Sequence, residues 1–387
     1  MKKGWQTKRL GDVLEIQNGF AFDSKMFNPS KGMPLIRIRS LKVGVETETR
    51  FSGDFDDKYV VHAGDLLIGM DGEFGCYEWK GPPALLNQRV CRLQGFTAEL
   101  VPRFLFYGVN THLKAIEDVT GFATVKHLSS KQILDIDFPL PPLPEQRRIV
   151  GLLDEAFAGI ATAKATAEQN LQNARALFES HLDAVFTRRG TGWEQKTLEE
   201  IATTFGRGKS KHRPRNEPKL YGGKYPFIQT GDIRSANHFI TEYSQTYSEA
   251  GLAQSKLWPK GTICITIAAN IAETGILGFD ACFPDSVIGV VTNPKEAVIG
   301  FVEYLLQSFK VRLQAMGKGS AQANINMGTF ENERFPFPPV SEQKQIVAKL
   351  DALSAETTRL AALYARKLAA LEELKKSLLH QAFAGEL

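Results

Sequence analysis

The chain has 387 residues, 43% hydrophobic and 23% charged, which is the composition of a globular protein with room for two or three domains that each bury a core. No run of about 18 apolar residues is present, so no membrane span is expected, and Met1-Lys-Lys-Gly-Trp-Gln-Thr-Lys-Arg9 lacks the apolar stretch of a signal peptide. The net charge of +4 alone argues little for a nucleic-acid partner. Cys76, Cys91, Cys264 and Cys282 show neither C-x-x-C spacing nor a nearby paired histidine, so they read as free buried thiols in a reducing cytoplasm.

In chain order, Pro34–Leu41 and Asp65–Met70 read as strands and Phe104–Ile116 as a helix. A small, basic loop follows at Gly121–His127. Phe138-Pro-Leu-Pro-Pro-Leu-Pro-Glu-Gln-Arg-Arg-Ile-Val-Gly-Leu-Leu-Asp154 then combines a proline-rich stop with the start of a long helix. In the second half Thr262–Ala268 and Ser286–Val291 read as strands and Phe301–Met316 as a helix. A matching loop at Gly317–Asn324 comes next, then Phe335-Pro-Phe-Pro-Pro-Val-Ser-Glu-Gln-Lys-Gln-Ile-Val-Ala-Lys-Leu-Asp351.

The two proline-rich starts lie 197 residues apart, about half the chain, so the protein is a tandem duplication of a module followed by a helix. Gly4-Trp5 with Lys8 and Leu10 matches Gly192-Trp193 with Lys196 and Leu198, and Pro34–Ser40 matches Pro226–Asp232. Gly64–Ile68 matches Gly261–Ile265, Phe104–Tyr107 matches Phe301–Tyr304, and Ser180–Phe186 matches Ser377–Phe383. The expected organisation is two α+β modules with twisted sheets, 1–137 and 191–334, each followed by a helical segment, 138–190 and 335–387. The helices have diverged less than the modules, as suits a common frame carrying two different reading heads.

About forty proline-free residues follow Pro144 and again Ser341, which is placed to cap the second helix. Glu145 and Glu342 fall in the first turns, where the helix dipole favours negative charge. Steps of 4 and 3 from Ile149 give Leu153, Ala156, Ile160, Ala163, Ala167, Asn170, Ala174, Leu177, His181 and Ala184. The same steps from Ile346 give Leu350, Leu353, Thr357, Leu360, Tyr364, Lys367, Leu371, Leu374, Leu378 and Gln381. One stripe is Ala-rich and the other Leu-rich, which predicts a tight antiparallel coiled coil with pseudo-twofold symmetry. At 1.5 Å per residue the rod would be roughly 60 Å long, with a module at each end. Asn170 and Lys367 interrupt the stripes, either fixing register or edging into solvent.

Charge clusters locally. Between Phe205 and Lys224 lie Arg207, Lys209, Lys211, Arg213, Arg215, Lys219 and Lys224 against the single acid Glu217, a loop suited to a phosphate backbone. A solvated loop without a partner is the competing reading. On the matched strands Arg37 and Arg39 alternate to one face, followed by Lys42, and Gln229 takes the equivalent place. Arginine suits guanine, whereas glutamine and asparagine suit adenine, which adds Gln322 and Asn324 of the later loop. Lys126, His127 and Lys318 are candidates to read or to steer; Arg207, Lys209, Lys211 and Arg213 to grip phosphate. Asn87-Gln-Arg89 ranks lower, because its counterpart Pro284-Asp-Ser286 shares no such chemistry.

Catalytic motifs are weak. Gly206-Arg-Gly-Lys-Ser210 resembles the end of a phosphate-binding loop, but Thr203 stands where the motif needs glycine. Asp65 with Glu78-Trp-Lys80 mimics a metal-dependent nuclease, yet the second module carries Thr262 and Gly275 at the matching places. The seven histidines show no ligand spacing, and no Asn-Pro-Pro-Tyr-like methyltransferase motif occurs. The chain reads as non-catalytic, with a metal-dependent nuclease or a two-headed protein-binding scaffold as the alternatives.

The paired proline-rich, Glu-Gln, Ile-Val and Leu-Asp starts, with Leu379-His-Gln-Ala-Phe-Ala-Gly-Glu-Leu387, resemble the DNA-specificity subunit of type I restriction-modification systems over nearly the whole chain. Two-module adapters of single-site systems that cleave on both sides of their target are similar. The resemblance implies that each module reads half of a split duplex target across a spacer set by the helices. It implies docking of two methyltransferase subunits carrying S-adenosylmethionine, and motor-nuclease subunits using ATP and Mg, with no cofactor in this chain. Leu363, Leu368 and Leu379, off the main stripe, are the candidate partner-facing residues, with burial against the chain's own modules as the competing reading.

Overall fold

The computed structural model describes residues 4–120, 126–188, 190–211, 214–268, 271–318 and 327–387, without the side chains of 316–318, 329 and 331. It divides into two compact units, residues 1–167 with 367–387, and residues 168–366. Each unit therefore contains one module and half of each long helix.

Both modules are built to the same plan. In the first, a sheet orders its strands Glu15–Asn18, Val90–Gln94, Leu66–Gly69 and Gly75–Glu78, all antiparallel. Its equivalent in the second orders Ala202–Arg207, Val287–Thr292, Ile263–Thr266, Thr274–Leu277 and Phe239–Ile240. The central strands Leu66–Gly69 and Ile263–Thr266 are buried throughout, as their apolar runs require. A second sheet, of five short strands in the first module and four in the second, completes each module. All four cysteines are free and buried, and burial raises the Cys91 thiol to about 12.

Each module is seamed to its long helix by the residues the duplication preserved. Gln6–Arg9 pairs antiparallel with Asp137–Leu140, and Glu194–Lys196 with Phe335–Phe337, so the first strand of each module zips onto the strand that feeds the helix. Trp5 meets Phe104 edge-on at 6.5 Å and Trp193 meets Phe301 at 6.2 Å. Lys8 pairs with Glu99, and Lys196 with Glu296 at 2.8 Å.

The glutamine of each Glu-Gln start is fully buried and fully bonded. Gln146 accepts from the Val101 N–H at 2.8 Å and donates to the Glu99 and Pro141 carbonyls, each at 2.8 Å. Gln343 repeats this with the Val298 N–H at 2.8 Å and the Glu296 and Pro338 carbonyls at 3.0 and 2.9 Å. Two turns on, the Tyr107 hydroxyl donates to Asp154 and the Tyr304 hydroxyl to Asp351. Burial first, then the Asp154 hydrogen bond, pushes Tyr107 up to about 12.

The long helices span Leu143–Thr187 and Val340–Ala384, 45 residues each. Ser341 is inside the second helix rather than its cap, because the helix starts directly after Pro338-Pro339. In the first unit the start of one helix meets the end of the other: Lys164 pairs with Glu372 at 2.6 Å, and Arg148 donates to the Leu387 carbonyl at 2.7 Å. Within the second unit Leu182 and Phe186, near the end of the first helix, share a core with Ile346, Val347 and Leu350. The helices run antiparallel, as expected. Each module is thus held by the start of its own helix and the end of the other. Phe383 lies 4.9 Å from Phe104, and Phe186 lies 5.4 Å from Phe301.

The stripe follows 3.6 rather than 3.5 residues per turn. Leu182 and Ala382 are covered where the heptad steps named His181 and Gln381, and Leu177 and Leu374 are 52% and 47% exposed. Lys367 is likewise exposed while Leu368 is half-buried. A strict heptad slips about 20° per repeat on a straight helix, so the last heptads fall off the covered face.

Two outcomes test this frame. Gln343→Ala, which strands one buried N–H and two carbonyls, is expected to cost about 3 kcal/mol in denaturant unfolding, against under roughly 0.5 kcal/mol for the exposed Gln345→Ala. Gly108 leaves room for Phe383, whose ring would lie 2.3 Å from an added Cβ. Gly108→Val should therefore speed hydrogen exchange over 378–387 and cost about 2 kcal/mol from overpacking.

Candidate nucleic-acid interface

In both modules a glycine packs against the tight turn that joins the two sheets and builds the same corner. The Gly19 N–H donates to the Val90 carbonyl at 3.0 Å, and the Gly208 N–H to the Val287 carbonyl at 2.9 Å. An added Cβ would sit 2.0 Å from the Asn87 oxygen at Gly19 and 2.2 Å from the Phe283 oxygen at Gly208, so only glycine permits the approach. The crossing braces the tight turns Asn87–Arg89 and Pro284–Ser286, each of which links a strand of one sheet to a strand of the other; Gln88 and Arg89 are exposed, whereas Pro284–Ser286 are half-buried.

The adjoining wall differs from the sequence expectation. The strand Met33–Ile36 ends before Arg37, which caps a short helix, Ile38–Val43, that contains Arg39. Strand alternation therefore does not align these arginines; the helix start does. Both are exposed and, with Asn87, Gln88, Arg89 and Phe22, line a concavity of about 520 Å³. Gln229 is the equivalent cap of Thr230–Ser235, its N–H donating to Asp232 at 2.8 Å and its amide to Gln245 at 2.8 Å.

The remaining first-module candidates divide. Lys42 pairs with Glu73, which raises its pKa, and lines a different groove with Tyr77, Glu78 and Arg103. Lys126 donates to the Glu117 carbonyl at 2.6 Å. His127 Nδ1 lies 2.7 Å from one oxygen of Asp71, whose other oxygen is 3.2 Å from Arg89 Nε. Arg89, ranked low from sequence, is therefore beside Arg37 and Arg39, whereas Lys42 is not. The turn that holds Arg89 recurs at Pro284–Ser286, closed in both modules by the valine N–H that follows it, although the matched residues share no chemistry.

In the second module the basic stretch is not one loop. It starts in the strand Ala202–Arg207 and ends in Tyr221–Phe227. Arg207 Nε donates to the Asp285 carbonyl at 2.7 Å, and Arg215 reaches both Asp285 carboxylate oxygens at 2.9 Å. Lys219 and Lys224 pair with Glu217 and Glu249. Lys209 and Lys211 are exposed with no carboxylate partner among the described residues. Burial against the Trp258 ring, then the charge of nearby Lys209, lowers the Lys256 pKa. Arg213, Gln322 and Asn324 lie outside the described residues; Lys318 ends the helix Ile299–Lys318, its side chain also outside them.

The nuclease constellation is committed to structure. Asp65 accepts from the His62 N–H at 2.9 Å and from Arg92 at 3.1 Å, and Glu78 pairs with Arg103 at 3.3 Å. Among the described residues no group of acidic, histidine or cysteine side chains could hold a metal ion, and no helix is long and apolar enough to cross a membrane. Leu363 is 43% exposed, Leu368 half-buried, and Leu379 packs against the first module's core.

Comparison with known proteins agrees with this geometry. The family model for the type I restriction modification DNA specificity domain matches twice, over residues 2–173 and 190–371. The EcoBI specificity subunit of Escherichia coli is 31% identical, over 99% of this chain and 86% of that protein. A putative MjaX specificity subunit of Methanocaldococcus jannaschii is 22% identical, over 99% and 93%. A chain solved in work on complex assembly and conformational transition of the type I R-M system superposes with a TM-score of 0.76 at 21% identity, covering 100% of this chain and 99% of that one. The HsdS subunit from Thermoanaerobacter tengcongensis gives 0.62 at 20%, covering 100% and 98%. The matches set aside the nuclease and scaffold readings: the chain belongs to the family of type I restriction-modification DNA-specificity subunits, the non-catalytic recognition component, and carries two copies of its domain.

Proposed function

We propose that residues 1–137 and 191–334 each read one half of a bipartite double-stranded target, while 138–190 and 335–387 hold the halves apart by a fixed spacer. The observation that carries this reading is the duplicated corner. Both modules repeat its backbone, from the glycine crossing to the short helix cap, and fill it with different polar side chains. One frame with two chemistries suits a target whose halves differ. Arg37, Arg39 and the Asn87–Arg89 turn form the reading face of the first module, and Gln229 belongs to that of the second. Lys209, Lys211, Arg207 and Arg213 grip phosphate and position the module without specifying sequence. His127, Lys126, Lys318, Gln322 and Asn324 are further candidates to read or to steer, and Lys42 steers from the adjoining groove.

Two methyltransferase subunits dock on the helices, and motor-nuclease subunits complete the complex in the cytoplasm. S-adenosylmethionine, ATP and Mg belong to those partners. Support for two equal docking positions comes from Leu177 and Leu374, 197 residues apart and each about half exposed. Leu363 extends the apolar surface of the second helix; Leu368 and Leu379, more covered, would contribute only edges.

Methylome sequencing of a host expressing this chain with its methyltransferase, against a host lacking only this chain, is expected to show one bipartite motif lost; unchanged methylation with both proteins present would overturn the reading. Leu374→Asp should reduce the methyltransferase copies bound from two to one by native mass spectrometry, as should Leu177→Asp, with the double variant binding none.

A further inference from the structure

The first-module corner contains one arginine that is aimed rather than merely exposed. Arg89 lies in the turn between the two sheets, its side chain 53% exposed, while its partner Asp71 is 19% exposed. Asp71 is itself pinned. It forms an antiparallel bridge with His127, and the neighbouring backbone closes the frame: the Gly72 N–H donates to Lys126 at 3.0 Å and the Leu128 N–H to Met70 at 2.8 Å. The turn is tied to the same segment, since the Met70 N–H donates to the Arg89 carbonyl at 3.0 Å.

The two carboxylate oxygens of Asp71 have separate tasks. One meets His127 Nδ1 and the other the Arg89 Nε. An ion pair at the Nε edge of the planar guanidinium draws that edge toward Asp71 and favours an orientation that leaves the two terminal nitrogens free to act together. Among the described residues those nitrogens have no partner, and Arg89 lines the concavity with Asn87, Gln88, Arg37 and Arg39. A preset pair of parallel donors matches the O6 and N7 acceptors that guanine presents in the major groove. A phosphate contact gains little from such aiming, because charge attraction tolerates many orientations. The second module has Ala268 and Ser286 at the positions matching Asp71 and Arg89, so the device belongs to one half-site only.

We propose that Arg89 is a specificity-determining residue that reads one guanine in the half-site of the first module, with Asp71 as its positioning residue. This rests on the DNA-reading function proposed above. It deepens that reading by assigning one base to one side chain.

The test uses the full chain assembled with its methyltransferase partners and duplexes carrying the motif found by methylome sequencing. With wild type, replacing a single guanine of one half-site by 7-deazaguanine, which lacks the N7 acceptor, should weaken binding about tenfold. Arg89→Gln should make binding indifferent to that replacement and accept other bases there, while discrimination at every position of the other half-site is unchanged. Asp71→Asn should reduce discrimination at the same position without altering the rest, which a purely structural defect would not do. Arg89→Lys keeps the charge but not the fork, so it should retain affinity and lose the preference. Unaltered discrimination in all three variants would overturn the assignment. So would a loss spread evenly over all positions with a salt dependence reduced by about one ion, the mark of a phosphate contact. Failure of wild type to prefer its motif at all would instead remove the underlying DNA reading.

Discussion

The buried glutamine at the head of each long helix is the constraint on which the rest of the structure depends. A fully buried amide is tolerated only when its donors and acceptor are all satisfied. Gln146 and Gln343 meet that demand by joining three pieces of backbone: the proline-rich entry, the turn before the module's long internal helix and the N–H of the valine that directly precedes that helix. The module therefore leaves its helix at a set angle. The Tyr107–Asp154 and Tyr304–Asp351 bonds, two turns further on, oppose rotation about the glutamine.

Role exchange between the helices makes this joint cooperative. Phe383 closes the core of the first module and Phe186 that of the second, so the end of each helix is part of the other module's interior. A change in one helix is then felt where the other begins. The preserved tryptophans and the lysine–glutamate pairs belong to the same seam. Duplication conserved the joint because both copies must satisfy the same buried polar groups. The corner facing outward carries no such demand beyond its glycine crossing, and its side chains were free to diverge.

Electrostatics at the two corners differ in kind. The second module's basic stretch is largely braced internally, with Arg215 on Asp285, Lys219 on Glu217 and Lys224 on Glu249. Such exposed pairs contribute little to stability, but they order the side chains and leave Arg207, Lys209 and Lys211 without a carboxylate partner among the described residues. In the first module the acid serves orientation, since Asp71 holds an arginine and a histidine on separate oxygens. Net charge conceals this arrangement.

The sequence by itself determined the duplication, the two long helices, their antiparallel pairing and the family, because those features are local or repeat at fixed spacing. It marked Glu-Gln and Leu-Asp as repeated without showing that their second members are a buried clamp and a tyrosine's partner. Tertiary structure alone decided which surface positions meet. Arg37 and Arg39 come together through a helix start rather than a strand, Lys42 turns to another groove, and Arg89 joins them from an inter-sheet turn distant in sequence. It also moved Leu177 and Leu374 out of the seam, because a straight helix turns every 3.6 residues while the sequence steps every 3.5. Periodicity and repetition can be read along a chain; the meeting of side chains from separate loops depends on packing that no single segment specifies.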